Sequence, residues 1–239
     1  MFQTVAFDAD DTLWHSESLF ADAQTRLSEV LAPYASHDEV ARELLAVSEQ
    51  NMGLLGYGVK AFTLAMVEVA TRISGGRISG EEVQRLVDVG KDMLRSPVEL
   101  LDGVEDVVSQ LAGDVDLALI TKGDLIHQEA KIAASGLGGH FSRIEVVSDK
   151  RPDTYRRIID SMAVPPERFV MVGNSLRSDV MPALEIGAWA VHIPYHITWE
   201  HEVVEAPAVH ERLITLTAMK ELPEVLEMGT PSTPIPAGD

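Results

Sequence analysis

The chain has 239 residues, 46% of them hydrophobic and 24% charged, enough for one substantial core and a smaller second one. Its 19 Lys and Arg stand against 38 Asp and Glu, and the resulting formal charge of -19 repels phosphate backbones and anionic lipid, so nucleic acid and membrane surfaces are not expected partners. The absence of cysteine excludes a disulfide framework, a thiolate nucleophile and a thiolate metal site, and leaves oxygen or imidazole donors for any metal. No apolar run reaches the roughly 18 residues of a membrane span. The N-terminal MFQTVAFDADD meets acid before a signal-peptide core could form, so a cytoplasmic protein is expected.

The first apolar run, Phe2 to Phe7, reads as a short buried strand that stops at Asp8-Ala9-Asp10-Asp11-Thr12 and delivers three carboxylates to its C-terminal end. Residues 16–96 then follow a helical period, with apolar positions at Leu27, Leu31, Val40, Leu44, Val47, Met66, Val69, Leu86 and Met93. Glycines at 53, 56 and 58, and again at 75, 76 and 80, interrupt the pattern, so four helices are expected. From residue 98 the pattern alternates: helix 104–111, strand 115–120, helix 124–135, strand 143–147, helix 153–162, strand 168–172, helix 178–186, strands 189–193 and 213–216, helix 219–228. Strands separated by helices of this length imply right-handed crossovers and a parallel sheet.

The expected fold class is therefore α/β, a Rossmann-like doubly wound parallel sheet carrying an inserted α-helical cap. Residues 1–15 and 98–228 would form the sheet domain and residues 16–97 the cap, because the first strand finds no parallel partner before residue 115. The proline-containing stretch 229–239 has no apolar period and is expected to be disordered.

In an open parallel sheet, ligands bind outside the carboxyl ends of the strands, which brings four chain segments to one crevice. The first is Asp8 to Thr12. Two carboxylates aimed at one point repel unless a cation lies between them, and Mg²⁺ suits a cysteine-free acidic crevice. One of them could also attack phosphorus. Taken alone, the same residues would serve equally well as a turn with caps. Thr121-Lys122-Gly123 supplies a hydroxyl and loop amides before a helix N-terminus, Lys150 is a cation at the third strand end, and Gly173 to Asp179 offers the Asn174 amide oxygen and the Asp179 carboxylate. Alone, each of these reads as an ordinary turn or surface residue, the last with Ser178 as a helix N-cap.

Together and in this order, Asp8-x-Asp10-x-Thr12, Thr121, Lys150 and Gly173 to Asp179, with a helical insertion after the first motif, resemble the haloacid dehalogenase superfamily of the small-helical-cap type. The resemblance implies Asp8 as nucleophile and metal ligand, and Asp10 as general acid then base, its backbone carbonyl touching the metal. It implies Thr121 with the Lys122 and Gly123 amides as the phosphoryl cradle, Lys150 paired with Asp8, and Asn174 or Asp179 completing a Mg²⁺ site. Two departures stand out: Asn174 occupies a position where the family commonly has aspartate, and Arg151 separates Lys150 from Pro152.

The second aspartate favours phosphatase over dehalogenase chemistry, since an ester oxygen leaves with a proton and a halide does not. The implied activity is Mg²⁺-dependent hydrolysis of a small phosphorylated metabolite through an aspartyl-phosphate. A phosphosugar mutase and a catalytically weak binding protein are the alternatives, and monomer and homodimer are both open. Substrate choice is expected to fall to the cap, with Tyr57 and Lys60 on a glycine-rich loop, Trp14 on the pocket wall, Thr12 beside the phosphoryl group and Arg151 as a substrate-side cation. His15, His192, His196 and His201 lack a metal-ligand spacing and read as packing or surface residues.

Overall fold

The computed structural model describes residues 2–204 and 210–228; the expected disordered tail 229–239 lies outside the described residues. In chain order the elements are β1 (Thr4–Phe7), α1 (Glu17–Leu31), α2 (His37–Leu55), α3 (Val59–Ile73), α4 (Gly80–Arg95), α5 (Val104–Leu111), β2 (Asp116–Lys122), α6 (Leu125–Ala134), β3 (Arg143–Val147), α7 (Pro152–Ser161), β4 (Phe169–Gly173), α8 (Met181–Glu185), β5 (Trp189–His192), β6 (Leu213–Thr215) and α9 (Leu222–Met228). None of the helices among the described residues is long and apolar enough to cross a membrane.

The six strands form one sheet in the order β3-β2-β1-β4-β5-β6, and every pairing is parallel. Strand side chains alternate between faces, and the sequence uses that period on both sides. Val5, Phe7, Leu117, Leu119, Val170, Val172 and Val191 pack toward α5, α6 and α9. Ala6, Ala118, Ile120, Phe169, Met171 and Ala190 pack toward α7 and α8. The sheet is thus covered on both faces, as a parallel sheet requires. β1 lies at its centre, with β2 and β3 on one side and β4, β5 and β6 on the other. Strand order reverses beside β1, and the crevice that this reversal opens is the usual ligand position of such sheets.

Between β1 and α5 the four helices α1 to α4 build a separate apolar cluster around Leu27, Leu31, Val40, Leu44, Val47, Met66, Val69 and Leu86. Their starts are fixed locally: the Ser36 hydroxyl accepts the Glu39 amide, and Ser79 with Glu82 forms a reciprocal capping box. The first expected break is shorter than the sequence suggested. Gly53 lies inside α2, and only residues 56–58 leave the helix, because Gly56 and Gly58 take positive φ of 71° and 102° while Gly53 does not.

Another expectation is corrected at residues 178–186. The turn Leu176–Val180 is π-helical, α8 covers only Met181–Glu185, and Ser175 rather than Ser178 caps it, its hydroxyl accepting the Ser178 amide at 3.0 Å. The Asp179 carboxylate reaches back to the Ser175 amide at 3.0 Å, and the helical backbone begins at Leu176, two residues earlier than the apolar period indicates.

Helices α3 and α4 approach closely at Gly90, where a Cβ would come within 2.0 Å of Thr63 Oγ1. Thr63 is held in place by its 2.7 Å bond to the Val59 carbonyl. Replacing a helical glycine by alanine ordinarily gains about 0.5–1 kcal/mol. Gly90→Ala is instead expected to lose about 1–3 kcal/mol through overpacking, read as a lower urea midpoint, and a Thr63→Ala background should relieve most of the loss.

Candidate active site

The Asp8 amide donates to Val172 O at 2.9 Å, extending the β1–β4 pairing by one residue and leaving the Asp8 carboxylate at the open end of the sheet. There the chain turns at once. Asp11 takes a positive φ of 63°, and its carboxylate accepts the Ser16 amide at 2.8 Å and the Glu17 amide at 3.0 Å, anchoring the start of α1. Of the three carboxylates, Asp11 is the one that fulfils the turn-capping role, and burial pushes it up to about 6.

Lys150, whose side chain is 1% exposed, is held between two carboxylates. Its ammonium donates to Asp8 Oδ1 and, at 2.7 Å, to Asp179 Oδ1. Asp179 gets this close to the sheet because residue 173 is glycine: a Cβ there would stand 2.2 Å from Asp179 Oδ2. One cation between two buried acids leaves an excess negative charge. Burial, opposed by Lys150 and reinforced by Asp179, pushes Asp8 up to about 7. Burial works against the charged form of Lys150, but Asp179 and Asp8 hold it well above the ordinary lysine value.

Asp10 is turned to different partners. It accepts from Lys131 Nζ at 2.5 Å, Trp14 Nε1 at 2.7 Å and Gln128 Nε2 at 3.1 Å. Burial would raise this carboxyl, yet Lys131, Trp14 and Gln128 together hold it below the usual carboxylate range. The two leading aspartates therefore sit in opposite electrostatic environments, a pattern that separates roles in acid–base chemistry. Gln128 also donates to Thr121 Oγ1 at 2.7 Å and to Lys122 O at 2.9 Å, tying the ends of β1 and β2 together.

Gln128 and Lys131 were not among the residues singled out from sequence. They stand three apart on α6, so they share a face, and Asp124 starts that helix by accepting the His127 amide at 3.0 Å. That spacing was the available signal, but nothing in the local sequence says that this face looks at Asp10.

Other expected site residues are placed differently from expectation. Trp14 is 1% exposed and belongs to the core cluster, so it orients Asp10 instead of lining the pocket. Thr12 is buried behind Asp8: its hydroxyl lies 3.1 Å from Asp8 Oδ2 and 3.2 Å from Asn174 Oδ1, and accepts the Asn174 amide at 3.1 Å. Lys60 is spent on Asp124 at 2.9 Å, and Arg151, with a side chain 72% exposed, on Asp149 at 2.6 Å. Neither Lys60 nor Arg151 borders the cavity: Arg151 turns to Asp149 outside it, and Lys60 meets Asp124 at its edge. Tyr57 does line it, with Trp199 edge-on and the Lys122 ammonium 4.5 Å over its ring. Lys122 is in turn bonded to Glu202 and, at 2.8 Å, to Ser178 Oγ.

Asp8, Asp10, Thr121, Lys122, Gly123, Lys150, Asn174 and Asp179 all border one cavity of about 370 Å³, and further wall comes from α1, α2, α3 and the turn before it, from the start of α6 and from residues 197–200. Among the described residues, no three acidic or imidazole side chains converge as ready metal ligands. Asp10 is committed to Lys131, and both Asp179 oxygens are taken by Lys150 and the Ser175 amide, so a direct Asp179 ligand is not what this arrangement presents. What it offers is Asp8 and Asn174. The single Thr12 proton is shared between Asp8 Oδ2 and Asn174 Oδ1, so one of these oxygens always lacks a donor. An undersupplied oxygen pair beside excess negative charge fits a hard divalent cation.

A family model described as haloacid dehalogenase-like hydrolase matches residues 2–187, and the chain belongs to that family. A haloacid dehalogenase-like family hydrolase from Xanthomonas campestris has a similar structure, with a TM-score of 0.86 and 42% identity over 95% of this chain and 91% of that one. The Bacillus subtilis HAD-hydrolase YfnB, bound to magnesium, shares the fold at a TM-score of 0.68 and 18% identity, over 95% of this chain and 99% of that one. Among curated proteins, the N-acylneuraminate-9-phosphatase of Mus musculus is 26% identical over 135 residues. That match covers 54% of this chain and 52% of the mouse protein, so the chain spans about half the length of the relative.

Removing the central cation should expose the cost of this cluster. Lys150→Met is expected to destabilise the protein by about 3–5 kcal/mol, because two buried carboxylates lose their counter-charge. Adding Asp179→Leu should recover part of that loss in the same urea titration.

Proposed function

We propose that the protein is a Mg²⁺-dependent phosphomonoester hydrolase that works through an aspartyl-phosphate on Asp8. The observation that carries this reading is the pair of aspartates two residues apart at the end of β1, one tied to Lys150 and the other to Lys131, opening on one cavity with Thr121. Phosphatase relatives among curated proteins support the reaction class.

In the first step an Asp8 oxygen attacks phosphorus and the ester P–O bond breaks, while Asp10 gives its proton to the departing alcohol oxygen. Lys131 keeps Asp10 ionised in the free enzyme, and the phosphoryl charge of an arriving substrate competes for that ammonium and favours the protonated carboxyl. In the second step Asp10, now a carboxylate, takes a proton from water as it attacks the aspartyl-phosphate, which returns Asp8 and releases phosphate. Thr121 has its hydroxyl oxygen satisfied by Gln128 and its proton bonded only weakly, at 3.5 Å, to Lys122 O, so it is available to a phosphoryl oxygen. The Lys122 and Gly123 amides lie at the same loop, where Gly123 takes a φ of 141° that other residues rarely adopt. Lys150 neutralises Asp8 and the equatorial oxygens together.

The Asp8 carboxylate, the Asp10 carbonyl and the Asn174 amide oxygen would hold Mg²⁺, with Asp179 acting through Lys150. Bound there, the ion would screen the approach of one anion to another. The neutral Asn174 contributes one charge less than a carboxylate would, so weaker metal affinity is expected of this site. The four-helix insert serves as the cap, and substrates are small phosphorylated metabolites of the cytoplasm.

Asp8→Asn should abolish release of phosphate from an aryl phosphate in Mg²⁺, and chelation by EDTA should do the same reversibly. Retained turnover would remove Asp8 from the nucleophile role. Asp10→Asn should reduce hydrolysis of alkyl phosphates at least tenfold more than that of nitrophenyl phosphate, whose leaving group needs no proton. A panel of sugar phosphates, nucleotides, flavin mononucleotide and N-acylneuraminate 9-phosphate, with a 2-haloacid as control, identifies the substrate class by product release.

A further inference from the structure

The cavity has two ends of different chemistry. At the sheet end, its ammonium groups are already matched: Lys150 to Asp8 and Asp179, Lys131 to Asp10, Lys122 to Glu202. His127 also borders it, and burial followed by the field of Lys131 lowers its imidazole toward the neutral form. At the insert end the wall is Phe20, Leu44, Leu45, Met52, Tyr57 and Phe62, with Phe20 and Phe62 packed edge to face at 5.0 Å. Gln24 and Ser48 add neutral polar groups. No Lys, Arg or His from α1 to α4 borders the cavity, and Lys60, the insert lysine nearest in sequence, is bound to Asp124.

The charged side chain that the insert does supply is Glu17. Glu17 lines the cavity, and its carboxyl makes no hydrogen bond or ion pair among the described residues, while its backbone amide donates to Asp11. Burial, then the fields of Asp11, Glu202 and Asp10, push it up to about 8. A pocket that drives its own carboxyl toward neutrality drives away an incoming carboxylate by the same two effects.

Resting on the phosphoryl-transfer reading above, we propose that the leaving-group end of this cavity selects phosphomonoesters of uncharged alcohols with an apolar face and rejects those carrying a second acid. The juxtaposition that carries it is an aromatic and aliphatic wall to which the insert supplies no cation, beside the unpartnered Glu17 carboxyl, with Lys122 over the Tyr57 ring already bound to Glu202. An acid-bearing alcohol would give up its hydration there and meet no unmatched counter-charge, since Lys122 is held by Glu202, whereas an uncharged one buries apolar surface and can bond its hydroxyl or amide groups to Glu17, Gln24 or Ser48.

The test compares benzyl phosphate with 4-carboxybenzyl phosphate on the full chain in Mg²⁺, so that the reacting bond is the same and only the remote charge differs. The neutral ester is expected to have a kcat/KM at least tenfold higher, mostly through a lower KM. Equal or better use of the acid overturns the proposal. Should neither ester be hydrolysed, the phosphatase reading fails separately, and calorimetric binding of benzylphosphonate against 4-carboxybenzylphosphonate decides the selectivity. Tighter binding of the neutral phosphonate supports it; equal or tighter binding of the acid, or binding of neither, overturns it. A folded Ser48→Lys protein, which places a cation on the insert wall, should narrow the gap between the two ligands, and an unchanged gap also overturns the proposal.

Discussion

A single ammonium group, that of Lys150, joins three separate parts of the chain: the residue after β1, the loop after β3 and the π-helical turn after β4. These segments are 142 and 29 residues apart in sequence, and each would carry a poorly tolerated buried charge without the others. Such a cluster contributes little net stability compared with apolar packing, because desolvating three ions costs about as much as their attraction returns. What it contributes is position. The Asp8 carboxylate cannot swing away without leaving Lys150 buried against Asp179 alone, and Gly173 is the small residue that lets Asp179 stand so near the sheet.

The same device is repeated with different partners at Asp10, where Lys131 and Gln128 reach from α6 and the Trp14 indole reaches from the turn after β1. Two carboxylates separated by one alanine are thereby given opposite tendencies, one undersupplied with positive charge and the other fully supplied. This asymmetry follows from geometry alone: Lys150 is divided between two acids, and Lys131 is not. The proposed tasks run against these resting tendencies, so a bound cation would have to favour the Asp8 carboxylate, and the arriving phosphoryl charge the protonated Asp10.

The insert divides labour with the sheet. Its own apolar cluster holds four helices together without borrowing from either sheet face, and its contribution to the cavity is mainly apolar and uncharged. The sheet end carries the groups that can address a phosphoryl anion. Contacts also cross between the two regions, from Lys60 to Asp124, from His201 to Glu49, and through Tyr57 between Trp199 and Lys122. Lys60 and Tyr57 stood out in sequence as substrate contacts; the lysine instead fastens the insert to the loop before α6.

The amino-acid sequence by itself determined the alternating strands, the four-helix insertion and the list of chemically capable residues at strand ends, because period, glycine breaks and residue type are local properties. Asp8, Asp10, Thr121, Lys150, Asn174 and Asp179 were all legible in that way. Only the tertiary structure decided which carboxylate each lysine faces, that Trp14 and Thr12 stand behind the aspartates, that Arg151 points elsewhere, and that Gln128 and Lys131 belong to the site. Those outcomes depend on how α6, β3 and β4 are set around β1. An ion pair or hydrogen bond acts over a few ångströms between groups that the chain can separate widely, 162 residues for Thr12 and Asn174, and a local pattern cannot encode which pairs will meet.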